Sequence, residues 1–133
     1  MRLLRTSAAL LVLSFLAACS DDAPTAPTPT PGITLTGNLS FGTVTVGTSG
    51  TATLTIANTG TGDLNISSVT YPVGFSGSFT VGTIAANASQ AVTVTFAPTQ
   101  AQGYSGNITV TGNQQGGTTT VAVSGTGGAL ASF

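Results

Sequence analysis

From Ile33 onward the chain alternates apolar and polar residues with a period of two. Residues 51–56 place Ala52, Leu54 and Ile56 on one side and Thr51, Thr53 and Thr55 on the other. Val92, Val94 and Phe96 alternate with Thr93 and Thr95, and Ile108 with Val110 and Val121 with Val123 extend the pattern. Successive side chains of a strand point to opposite faces, so this alternation marks half-buried antiparallel strands. It predicts about seven strands, near 33–36, 41–46, 51–58, 63–70, 78–82, 90–96 and 105–111, with an eighth near 118–124. No helical period is visible over this stretch, and no repeat of fixed length argues for a solenoid.

Clusters of turn-forming residues separate the runs, at 58–63, 74–77, 97–103 and 112–117. Asn58, Gly60 and Gly62 suit a turn at positive φ, which β-branched neighbours would resist. Pro98 is expected to end its strand by removing a ladder donor. Tyr104 opens the following strand; either its hydroxyl bonds nearby backbone as a tyrosine corner, or its ring is simply half-buried. Strand number and spacing together predict an all-β, immunoglobulin-like antiparallel β-sandwich of seven to eight strands over residues 33–127, with a tail at 128–133.

The first 32 residues follow different rules. Residues 1–18 carry Arg2 and Arg5, then a run of mostly apolar residues that ends in small ones. That is the layout of a secretory signal peptide, and the run is short for a membrane span. The chain's single cysteine, Cys19, follows directly. The tetrad Leu16-Ala17-Ala18-Cys19 resembles the lipobox of bacterial lipoproteins. The resemblance implies cleavage before Cys19 and a diacylglyceryl group on its sulfur; several acyl chains are what stable anchoring requires. Ser20, after the cysteine, implies passage to the outer membrane. Asp21 and Asp22 resemble short acidic export signals, and equally suit the solvated start of a linker. From Ala23 to Gly32, alternating Pro and Thr favour an extended polyproline II stalk, so 19–32 reads as lipidated cysteine plus linker.

Charge is almost absent. The sequence holds two basic residues, both in the segment read as a signal, three acids and no histidine. Without Lys or Arg beyond residue 5 there is nothing to neutralise phosphates, which excludes nucleic acid as a partner. A single cysteine forms no intramolecular disulfide. General acid–base catalysis needs a titratable group, and Asp63 is the one acid within the expected domain. A lone turn aspartate more often caps or solvates its turn, so no catalytic residue, metal site or cofactor is expected. Thr-x-Thr pairs along the strands could form hydroxyl arrays of the kind that bind ice, but outward threonine is also the ordinary uncharged choice for a strand. Asn65 stands in a sequence like a bacterial N-glycosylation sequon, yet the alternation puts it on a strand.

Residues 39–48, 54–69, 91–98, 103–112 and 121–127 resemble, in order, the successive motifs of Hydin-type or ASH-type immunoglobulin-like domains, whose bacterial members are grouped as choice-of-anchor D domains. The resemblance spans nearly the whole expected domain, about 39–127, and implies an immunoglobulin-like sandwich. The expectation is a lipid-anchored, non-catalytic module of the bacterial outer membrane serving protein–protein interaction, adhesion or scaffolding. Sheet edges without charge suggest pairing with a strand of an envelope or extracellular protein, unless bulges and short edges protect them. The alternative is a carbohydrate-binding surface module using Tyr71 and Tyr104 with Asn and Thr as polar partners.

Overall fold

The structure, a computed structural model, describes residues 24–131. Nine strands follow one another: β1 (Thr34–Thr36), β2 (Ser40–Thr45), β3 (Gly50–Ala57), β4 (Leu64–Thr70), β5 (Phe75–Gly77), β6 (Gly82–Ile84), β7 (Ser89–Phe96), β8 (Gly103–Gly112) and β9 (Thr120–Gly128). They form two sheets, ordered β1-β3-β7-β5 and β2-β9-β8-β4-β6. The protein is an all-β immunoglobulin-like sandwich.

The threonine-rich strands supply the inner faces as their alternation requires. Leu54 and Ile56 of β3 and Val92, Val94 and Phe96 of β7 are buried against Leu64, Ile66 and Val69 of β4, Ile108 and Val110 of β8 and Val123 of β9. Their partners Thr51, Thr53 and Thr93 face solvent, with Thr51 opposite Thr95 and Thr53 opposite Thr93. Each fully buried aliphatic or aromatic side chain contributes about 1.5–3 kcal/mol of gross stabilisation, so the sandwich depends on this one interface.

The registers sort the loops to two ends. Thr34 lies opposite Ala57, Ala57 opposite Ser89, and Leu64 opposite Ile84, with Ile33 bridged to Gly117. These residues mark the end where the N-terminal segment enters. At the far end Gly50 lies opposite Phe96, Phe96 opposite Phe75, and Gly103 opposite Thr126.

Three details depart from the sequence reading. The strand expected at 78–82 is a crossover between sheets. Ser78 still bonds β7 through Thr93, the Phe79 carbonyl is taken by the Tyr71 hydroxyl, and Gly82 then joins the other sheet beside Ile66. Two short strands, β5 and β6, therefore replace one. The pairing of β2 with β9 is parallel, not antiparallel, because β2 is reached by a crossing from β1 in the opposite sheet. Finally, Thr30–Gly32, expected in the linker, are hydrogen-bonded into the domain.

Candidate functional site

At the entry end the organising residue is Asn58, directly after β3 and 2 % exposed. Its Oδ1 accepts the amides of Gly32 at 3.2 Å and Gly60 at 3.0 Å. Its Nδ2 donates to the carbonyls of Gly62 at 2.8 Å and Ile84 at 2.9 Å. One side-chain amide thus satisfies backbone groups of the entering segment, the β3–β4 turn and the end of β6, which a buried polar group must do to avoid a desolvation penalty. The entering segment is secured further by the Thr30 carbonyl, which accepts the amides of Thr61 at 2.8 Å and Gly62 at 3.2 Å, and by the Pro31 carbonyl, which accepts from Gln115 at 3.0 Å.

Asn58, Gly60 and Gly62 do not supply a positive-φ turn; the positive-φ residues of the described chain lie elsewhere. Gly60 and Gly62 are required for close approach. A Cβ on Gly60 would overlap the Thr30 carbonyl and the Gly32 amide, and one on Gly62 would come within 2.9 Å of Pro29. The turn is shaped by what docks on it, which local sequence does not reveal. Asn87, in the β6–β7 loop, holds the left-handed conformation at φ 60°. The sequence reading passed over it, although Asn is the residue type most tolerant of that region after Gly.

The far end is built on aromatic rings. Phe96 stacks on Phe75 at 4.7 Å, and Tyr104 meets Phe96 edge-on at 5.4 Å. The Tyr104 hydroxyl accepts the amides of Gln100 at 3.0 Å and Thr99 at 3.3 Å, holding the β7–β8 loop over the core. Pro98 is buried in that loop, and its carbonyl accepts the Gly47 amide at 3.2 Å. Tyr71 lies apart: its hydroxyl donates to the Phe79 carbonyl at 2.6 Å and its ring lies against Gly77. Burial pushes the Tyr71 phenol above its ordinary value of 10.0, and the bond to Phe79 requires the protonated hydroxyl. Tyr104 is only 8 % exposed. The two rings therefore form no shared exposed stacking platform.

Asp63 is exposed in the β3–β4 turn, where its carbonyl accepts from Asn113 Nδ2 at 3.3 Å. Among the described residues no three His, Cys, Asp or Glu side chains cluster. Asn65 is exposed on β4, with its Oδ1 taken by the Thr83 hydroxyl at 2.7 Å. Cys19, Asp21 and Asp22 lie outside the described residues. On the outer face of the β2-β9-β8 region, a shallow trough of about 490 Å³ runs between Asn38, Ser105, Asn107 and Ser124, uncharged and lined by small residues.

The outermost strands of the two sheets are short or interrupted. β1, β5 and β6 have three residues each. β2 is broken by a register shift between Ser40 and Thr43, where Gly42 has a φ of 64°. Such devices limit unwanted strand pairing without charge.

Residues 31–126 match the family described as HYDIN/CFA65/VesB-like, Ig-like domain. The ASH/PapD-like domain 7 of human CEP192 superposes with a TM-score of 0.65 at 19 % identity, covering 81 % of this chain and 93 % of that one. A protein of unknown function from Porphyromonas gingivalis W83 superposes with a TM-score of 0.62 at 20 % identity, over 77 % of this chain. The chain spans 50 % of the length of that bacterial protein. No curated protein matches the sequence. At these identities the structural likenesses speak to the fold.

Proposed function

Because the chain belongs to the HYDIN/CFA65/VesB-like Ig-like domain family, we propose that it is a lipid-anchored, non-catalytic module of the bacterial cell envelope that acts by binding other proteins, in adhesion or scaffolding. The observation that supports this reading is the docked entry segment. Thr30, Pro31 and Gly32 are hydrogen-bonded to one end of the sandwich, so a chain anchored at Cys19 would hold the domain by that end. The far end then points away from the lipid, and both outer faces flank the domain. Those faces carry Thr, Ser, Asn and Gly without titratable partners, a surface suited to recognition and poor in the groups acid–base catalysis uses.

Replacement of Cys19 by Ser tests the anchor. The expected result is loss of incorporated radiolabelled palmitate and a shift of the protein from the outer-membrane fraction to the soluble one. Retention of label and membrane partition in that variant overturns it. Proteinase K applied to intact cells distinguishes a surface module from a periplasmic one. Trypsin is uninformative, since no Lys or Arg lies beyond Arg5.

A further inference from the structure

We propose that the first half of β8, Gly103 to Asn107, is a strand-addition site for an extended, uncharged peptide segment of a partner protein. β8 runs for ten residues, but β4 pairs with it only from Thr109 to Gly112. Along Gly103–Asn107 it has β9 on one flank and no strand on the other.

The hydrogen-bond parity decides which groups face that open flank. The Gly127 amide donates to the Gln102 carbonyl and the Val110 amide to the Thr119 carbonyl, both at 2.8 Å. In an antiparallel pair alternate residues exchange both bonds with one neighbour, so the even-numbered residues of β8 are committed to β9. The backbone groups of Gly103, Ser105 and Asn107 therefore point the other way, as those of Thr109 and Thr111 do toward β4. No hydrogen bond from the described residues meets them on that flank.

The chain that crosses nearby leaves the flank open. Residues 71–75 pass over the inner side of β8, with Pro72 against Gly106 and Gly74 against the Tyr104 ring. Val73, between them, is 84 % exposed. The other edge of this sheet is blunted. Besides the interruption at Gly42, the Ser40 amide is capped by Asn38 Oδ1 at 3.2 Å and the Thr45 carbonyl by the Thr48 hydroxyl at 2.8 Å. Gly103–Asn107 has no comparable protection.

The surroundings specify the occupant. An added strand directs alternate side chains to opposite faces. One set would lie along Ser105 and Asn107, where hydroxyls and amides fit, and the other beside Val73, where an aliphatic or β-branched side chain fits. The described chain contains one charged residue, Asp63, at the opposite end. A charged side chain brought to this edge would lose hydration without gaining a counter-charge, so uncharged alternating sequences are selected. The inference deepens the interaction reading but does not depend on the anchor.

The test uses the full chain carrying Cys19→Ser, isotope-labelled, with a blocked seven-residue peptide of alternating Thr and Val as probe. The expected result is slowed exchange of the Ser105 and Asn107 amides on adding peptide, with Gly106, already bonded to β9, unchanged. Ser105→Pro removes the outward amide without touching the β9 ladder, and Ser105→Lys adds a charge at the edge. Each is expected to weaken peptide binding at least tenfold with little change in melting temperature; the lysine variant serves if the proline one fails to fold. No amide response to the peptide, a response centred on β2, or unchanged binding by Ser105→Lys overturns the proposal. So does protection of Ser105 and Asn107 without peptide in a concentration-dependent dimer, which would make the occupant a second copy. Cys19→Ser that stayed membrane-bound would defeat the anchor reading and leave this result standing.

Discussion

Asn58 and Gly32 are 26 residues apart in sequence and are joined by a 3.2 Å hydrogen bond from the Gly32 amide to Asn58 Oδ1. That bond joins the docked segment Thr30–Gly32 to the buried end of β3. It also couples the hold on the tether to the same side chain that closes the β3–β4 turn and the end of β6.

Asn58→Ala is expected to destabilise the domain by about 3 kcal/mol, because several buried backbone groups lose their partner at once. Asn58→Asp restores the acceptor but sets an acid against the Gly62 and Ile84 carbonyls, so it should not rescue. Urea unfolding of the two variants measures both effects.

Gly60→Ala should release the entering segment while leaving the sheets intact. Its Cβ has no room beside the Thr30 carbonyl. Amide exchange is the readout: the Thr61 and Gln115 amides lose protection, while those of β3 and β7 keep theirs.

At the far end a Cβ on Gly125 would stand 2.5 Å from the Phe96 ring. Gly125→Ala is expected to cost about 2 kcal/mol by overpacking. Adding Phe96→Leu should recover part of that loss, giving a favourable coupling energy in a double-mutant cycle. Strict additivity would refute the steric account.

Asn87 reads its own backbone. Asn87→Ala should lose about 1 kcal/mol because a Cβ with no compensating side chain disfavours the left-handed region, whereas Asn87→Gly should be near neutral. Thermal melts of the pair decide it.

The pH dependence follows from Tyr71. Its folded value lies above its unfolded value, so its contribution to stability is present below pH 10 and disappears as pH rises through the folded value. Ionisation also removes the donor to Phe79. Tyr71→Phe should therefore lower stability at neutral pH yet flatten its decline above pH 10, as followed by melting temperature between pH 8 and 11.

Much of the architecture was legible in the sequence, because burial on one face imposes a period of two that needs no tertiary information. The alternation at Leu54–Ile56, Val92–Phe96 and Ile108–Val110 identified core-facing residues and the all-β class. It could not distinguish a strand from a crossover at 78–82, where the Tyr71–Phe79 bond and the two sheets' separate pairings decide the path. Nor could it show that Gly60 and Gly62 are small because the tether lies against them. The lipobox resemblance, the lack of charge and the lone Asp63 are properties of the chain alone. The Asn58 hub, the enclosed Tyr104 ring and the open flank of β8 exist only once segments distant in sequence are brought together, since each depends on which backbone groups a neighbouring strand leaves unpaired or a neighbouring chain covers.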